Sequence, residues 1–229
     1  WQLDSLDELQ QVLSDLTYIA DAHHFGLPLA EFERSPRDAV AFQVLDRVQN
    51  PALLPDEISH HVLPLLERLG QQPDEFFLTY VRMCAEAIIV QRQGSGDLTT
   101  EQRAVAIVRC MSHSPCNLKA QAVLSLVRAV SFPFSEELWM LVQEAITWEG
   151  SLKEELQEAE RILRLSQIVQ RYRVTNFVLV NPSHATNLVE YIAAQVQCPT
   201  ALEDALQVAA AYSHLREKQV YIDYLQNLS

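Results

Sequence analysis

Cys110, His113 and Cys116 spell C-x-x-H-x-x-C near the middle of this 229-residue chain. Thiolates and an imidazole bind zinc, but a structural zinc site closes with four ligands. No fourth ligand lies close in sequence and an alanine-rich helix follows, so buried cysteines and a loop histidine are the expected reading. The doublets His23-His24 and His60-His61 fare no better, because neighbours on a helix point about 100° apart and do not readily chelate one ion. No metal and no other cofactor is expected. The nucleophile elbow G-x-S-x-G, the phosphate-binding loop, the dinucleotide fingerprint and H-E-x-x-H are all missing. Glu136-Glu137, Glu154-Glu155 and the pair Glu158 and Glu160 lie at or near helix starts, where carboxylates favour the positive end of the macrodipole. Nothing singles them out as paired acid and base. The residues do not point to an enzyme, and a small helical hydrolase or metal-binding protein is the lowest-ranked alternative.

One stretch departs from the acidic average. "RILRLSQIVQRYR" carries Arg161, Arg164, Arg171 and Arg173 with Tyr172 among them. Arg161, Arg164, Gln167 and Arg171 follow at helical spacing and share a face. That face is either solvated and paired to Glu154, Glu155, Glu158 and Glu160, or it docks an acidic partner segment. Arginine and tyrosine are enriched at interfaces, so Arg161, Arg164, Arg171, Tyr172 and Arg173 form the candidate partner-binding set, with no catalytic residue beside them.

The elements that must carry these residues announce themselves by their caps. Ser5-Leu6-Asp7-Glu8 is a capping box, followed at helical spacing by Leu9, Val12, Leu13, Leu16, Ile19 and Ala20. Ser35-Pro36-Arg37-Asp38 opens a helix with Val40, Val44, Leu45 and Val48 inward, ending near Asn50 before Pro51. Pro55-Asp56-Glu57 opens another that Pro64 kinks and Gly70 closes. Pro73-Asp74-Glu75 opens a third, with Phe76, Phe77, Tyr80, Val81, Cys84, Ala87 and Ile88 inward. Ser114-Pro115, Ser135-Glu136-Glu137, Ser151-Leu152-Lys153-Glu154, Asn181-Pro182 and the box Thr200-Ala201-Leu202-Glu203 are further starts. Phe177–Val180 and Ala87–Val90 are strand-like, but two short runs far apart make no sheet and read as buried helix or turn.

The expected fold is all-α, an irregular α-solenoid of about ten antiparallel helices without a sheet, forming one segment over residues 1–229. A flexible loop is expected near 92–100, in "QGSGDLTT". Only five glycines serve the chain, fewer than a turn-rich sandwich or barrel needs. A net charge of −13 repels phosphate backbones and anionic lipid, so neither nucleic acid nor membrane is an expected direct partner. Four cysteines are too sparse for a disulfide framework and suit a reducing compartment. No apolar run approaches the ~20 residues of a membrane helix. A chain opening on Trp1 is expected to be a piece of something longer, and apolar residues near its ends, Trp1, Leu3, Tyr221, Tyr224 and Leu225, are expected to pack on helices outside it.

In sequence order, "LPLAEFERSPRDAVAFQVLDRVQNPALLP", "PDEFFLTYVRMC", "EELQEAERILRLSQIVQRYRV" and "PTALEDALQVAAAY" make the chain similar to the Rough deal (Rod) family of large kinetochore subunits. The likeness runs from about Leu6 to Leu225. It implies a non-enzymatic piece of an α-solenoid whose parent proteins assemble with Zwilch and Zeste-white-ten, and with further Rod copies. It also implies cytoplasm, mitotic kinetochore and spindle as locations, with corona assembly, Spindly and dynein recruitment and checkpoint signalling as roles. A helical subunit of a vesicle-tethering complex at the endoplasmic reticulum is the nearest alternative.

Overall fold

The computed structural model describes residues 6–23, 28, 37–91, 98–111, 117–130, 134–174, 182–212 and 214–228. All regular structure among them is helical, and the chain divides into two compact units. Residues 1–130 and 135–152 make the first, residues 131–134 and 153–229 the second. The expected helices are there, and no strand occurs among the described residues.

In the first unit α1 (Leu6–His23) and α2 (Arg37–Arg47) precede a 3-10 turn at Pro51–Leu53. Asn50 caps that turn by accepting the Ala52 N–H at 3.1 Å. The next helix runs as α3 (Leu54–Glu57), a π turn (Ile58–Val62) and α4 (Leu63–Arg68). Pro64 is the reason for the interruption. Its ring would strike a carbonyl one α-turn back, and the chain widens there so that the Leu63 N–H reaches the Ile58 carbonyl. Gly70 then closes the rod at φ +67. Its N–H bonds the Glu67 carbonyl and the Gln71 N–H bonds the Leu66 carbonyl, the paired Schellman closure.

The core of this unit lies around α5 (Pro73–Gln91), which packs against α6 (Leu98–Cys110) and α7 (Leu118–Ala129). Phe77, Val81, Ile107, Val123 and Leu126 are sealed from solvent. Phe42 of α2 stacks on Phe76 with ring centres 4.6 Å apart. Helix α8 (Glu136–Ala145) packs on α6 and α7. The Ser135 hydroxyl accepts the Leu138 N–H at 3.1 Å and donates to the buried Glu101 carboxylate of α6. One side chain therefore caps a helix and joins it to its neighbour.

In the second unit α9 (Lys153–Arg171), α10 (Pro182–Ala193), α11 (Ala201–Ala210) and α12 (Glu217–Leu228) share a core. Leu165, Ile168, Ile192, Ala205, Val208 and Val220 lie at its centre. Alanines Ala201, Ala205 and Ala209 let α11 sit close to its neighbours.

Several expectations need correction. Of the stretch expected as a loop, Leu98, Thr99 and Thr100 are the first turn of α6, with Glu101 at its positive end, and residues 92–97 lie outside the described ones. Ala87–Val90 is helical as expected, but Ile89 and Val90 face solvent instead of the core. In α1, Leu13 and Ala20 point outward because the inward face is set by Asp15 and Ile19. Tyr224 packs on the core of its own unit, whereas Tyr221, Ile222, Leu225 and Leu228 form an exposed stripe on α12. Thr200 makes no capping box with Glu203, for its hydroxyl donates to Asp204 at 2.8 Å instead. Ser5, Ser35, Ser114, Asn181 and Phe177–Val180 lie outside the described residues.

Replacing Ser135 by alanine should destabilise the first unit by about 1–2 kcal/mol, since cap and carboxylate partner go together. A double-mutant cycle with Glu101→Gln, followed by urea denaturation, should return a clear coupling between them.

Candidate interaction surface

Helix α9 positions four of the five candidate residues on or just beyond its C-terminal half, and its hydrophobic residues explain how. Leu156, Ala159, Leu163, Leu165 and Ile168 are buried, which turns Arg164 outward and brings Arg161 and Arg171 to the margins. Arg161 grips Glu158 one turn earlier through Nε at 2.8 Å and Nη2 at 2.6 Å. Its Nη1 donates to the Ala211 carbonyl at 3.0 Å, and the guanidinium lies over the Tyr212 ring. The Arg161 hydrogen bonds hold the Glu158 carboxyl below its ordinary range. Arg164 pairs with Glu160 through Nε at 2.9 Å. Two of the four expected carboxylates thus answer these arginines.

Arg171 does something the helical spacing does not suggest. Its Nη1 donates to both oxygens of Asp204, at 2.7 and 2.6 Å, and to the Thr200 hydroxyl at 3.1 Å. Asp204 is buried in the first turn of α11, where the helix dipole also favours its charge. Tyr172, buried as well, donates to the same carboxylate at 2.9 Å. Burial first, then its contacts with Cys198 and Asp204, push the Tyr172 hydroxyl well above the usual phenol range, so it stays a donor. Arg171, Tyr172 and Thr200 thereby converge on one carboxylate and lock α9 to α11. The structure brings Arg171 and Tyr172 together in this way and keeps Arg161 and Arg164 on the same helix beside their own partners.

Arg173 stands apart. It occupies the left-handed region at φ +54, with its N–H on the Gln170 carbonyl and the Val174 N–H on the Val169 carbonyl. This is the closure that Gly70 makes after α4, here with a long side chain at the position that favours glycine. Arg173 is exposed, and its guanidinium has no hydrogen bond or ion pair among the described residues.

Sequence reasoning missed Asp204, which reads as an ordinary first-turn acid. Only the pairing of Arg171 with a residue 33 positions on reveals it. Of the C-x-x-H-x-x-C pattern, His113 and Cys116 lie outside the described residues, as does His24. Among the described residues no group of three metal-binding side chains forms. His60 bonds the Asp56 carbonyl through Nδ1, an ordinary helix-surface contact.

Residues 75–229 match the family model described as the KNTC1 second ARM-repeats domain. Mouse Kinetochore-associated protein 1 is 26% identical over 220 residues, which cover 96% of this chain and 10% of that protein. The human protein of the same name is 24% identical over 209 residues, 91% of this chain and 9% of its own length. The chain spans about a tenth of these relatives.

Two outcomes follow from the Asp204 node and the thiols. Arg171→Met should cost about 3 kcal/mol, because a buried carboxylate loses its cation, and the double variant with Asp204→Asn should cost less than the sum. Amide hydrogen exchange in α9 and α11 reads both. Burial pushes the Cys84 thiol up to about 12 and raises Cys110, whereas the Thr200 and Tyr172 hydroxyls lower Cys198. A higher pKa leaves less thiolate, so iodoacetamide at pH 8 should alkylate Cys198 before Cys84 or Cys110, as peptide mapping would record.

Proposed function

This chain belongs to the family of the KNTC1 second ARM-repeats domain, and we propose on that footing that it is a scaffold segment of a kinetochore complex. The observation that carries the reading is the family match across two compact all-helical units, joined to relatives named for the kinetochore. The segment works without catalysis. It is a segment of α-solenoid, presenting helix surfaces to partners within an assembly that acts at the mitotic kinetochore. Zwilch, Zeste-white-ten and further Rod copies are the proposed partners. Spindly and dynein recruitment, corona assembly and checkpoint signalling follow through that assembly. The parent protein moves between cytoplasm, kinetochore and spindle.

Physical features support a binding role. The outward stripe on α12 suits helix-to-helix stacking, by which repeat proteins bury their apolar faces. The arginine set supplies the polar counterpart: Arg164 and Arg173 face solvent on and just after α9, flanked by Arg161, Arg171 and Tyr172. An acidic segment laid along α9 would exchange the local Glu158 and Glu160 pairs for its own carboxylates and gain Arg173 outright. Exposed ion pairs of this kind are worth less than 1 kcal/mol each, so the exchange is inexpensive.

The decisive experiment places the full-length protein in mitotic cells, where a signal on unattached kinetochores is expected. Its restriction to reticulum membranes would overturn the reading. For the docking surface, Arg173→Gly is the informative change. Glycine relieves a left-handed backbone by about 1 kcal/mol and should raise stability, while capture of the Zwilch or Zeste-white-ten subunit falls in a pull-down. Charge reversal at Arg161 and Arg164 should weaken capture further without loss of helicity; unchanged binding in both variants removes the surface.

A further inference from the structure

Helices α2, α5 and α6 border an open cavity of about 590 Å³ on the first unit. Asp46 and Gln49 come from α2 and its end, Tyr80, Met83, Cys84 and Ala87 from α5, and Arg103 from α6. The charged groups here have unequal freedom. Arg103 donates to the Leu45 and Val48 carbonyls at 2.8 and 2.5 Å, so its guanidinium sits against the negative end of α2. Asp46 accepts the Tyr80 hydroxyl on Oδ1 at 2.5 Å, and its Oδ2 receives no donor among the described residues. Burial, followed by the bond to Asp46, raises the Tyr80 hydroxyl far above its ordinary range, so it stays protonated and keeps the carboxylate oriented.

Beside this carboxylate lies apolar surface of an adaptable kind. Met83 is 45% exposed and its thioether bends to fit what lies on it. The Cys84 thiol, nearly sealed, stays neutral. A carboxylate oxygen held open next to an exposed methionine matches a side chain with an aliphatic stem and a cationic head. The volume exceeds one such side chain and leaves room for the peptide backbone carrying it, with the Gln49 amide at hand. A chain of net charge −13 also draws cations towards it.

We propose that this cavity receives a lysine or arginine side chain of a partner protein segment, with the head on Asp46 Oδ2 and the stem along Met83 and Ala87. The inference rests on the first unit alone and stands or falls independently of the kinetochore reading.

The three methionines make the test direct, since Met83 lines the cavity, Met111 is buried elsewhere and Met140 is exposed elsewhere. The methionine methyl groups of the full 229-residue chain are labelled and titrated with N-acetyl-arginine-N′-methylamide and with the lysine and glutamate counterparts. Arginine or lysine should shift Met83 saturably in the millimolar range and leave Met111 and Met140 in place. Asp46→Asn should weaken this about tenfold, the loss expected for one charge-assisted hydrogen bond. The same probes should shift the Tyr80 ring signals, since its hydroxyl bonds Asp46, and Met83→Lys, which tethers a competing cation at the cavity, should abolish that shift. Should Asp46→Asn fail to fold, Met83→Lys decides alone. An equal response to the glutamate probe, equal movement of Met140, or binding untouched by either variant would overturn the proposal.

Discussion

Most of these helices cannot stand alone. Seven of them have between 10 and 13 residues, and helices shorter than about 12–15 residues are marginal in water. Their persistence depends on burying an apolar face against a neighbour. Such burial is strong but has no direction, and a face of leucine, valine and alanine accepts many registers. Direction comes from four buried polar groups among the described residues: Asp15, Glu101, Lys119 and Asp204. Asp15 of α1 takes Arg68 of α4 at 2.6 Å. Glu101 of α6 takes the Ser135 cap of α8. Lys119 of α7 lies 5.0 Å from the centre of the Trp148 ring. Asp204 of α11 takes Arg171 of α9. Three of them join two separate helices or their caps and Lys119 meets the turn after α8, and each would carry a penalty if its partner were displaced. Hydrophobic faces hold the helices together, and these joints decide which helix meets which.

That division of labour bears on the arginine-rich helix. A basic run in an acidic chain invites a reading as a surface for acidic partners. Part of its charge, however, is engaged inside the unit, because Arg171 neutralises a carboxylate that burial would otherwise penalise. Arg161 serves its own unit too, by bonding the Ala211 carbonyl just beyond the end of α11. Arg161 and Arg171 are therefore structural residues of the second unit as well as members of the basic run. A partner that approached this helix would meet guanidinium groups already fixed in position, and so would lose little entropy in ordering them.

Local signals were legible in the sequence and distant ones were not. Ser135 before two glutamates announces a cap, and the structure has it. Pro64 announces an interruption, although the form it takes, a π turn, depends on how the whole rod packs. The inward face of α5 can be read from its spacing for Phe76, Phe77, Tyr80, Val81 and Cys84, although Leu78 and Ala85 are buried beside them and Met83, Ile89 and Val90 are exposed. In α1 the same method errs, since Asp15 is drawn inward by Arg68, 53 positions away. Thr200 misleads for a related reason. Threonine three residues before glutamate spells a capping box, but a buried carboxylate at Asp204 competes for the hydroxyl and wins. Tyr172 and Arg171 looked alike as interface residues, and nothing in their spacing could say that both meet a carboxylate on another helix.

The two Schellman closures differ in what they carry. After α4 and after α9 the backbone makes the same pair of hydrogen bonds and the same left-handed turn. At Gly70 the turn is free of side-chain strain, and even an added Cβ would meet no atom within 4 Å. Glycine is there for its backbone alone. At Arg173 the same turn carries a side chain at a cost of about 1 kcal/mol, and that side chain bonds to nothing among the described residues. Among the described residues the arginine makes no side-chain hydrogen bond or ion pair that would offset the strain. What it does offer is an outward cation at the end of a helix whose negative dipole it complements. The closure after α4 is served by glycine; the closure after α9 carries a charge at the same backbone position.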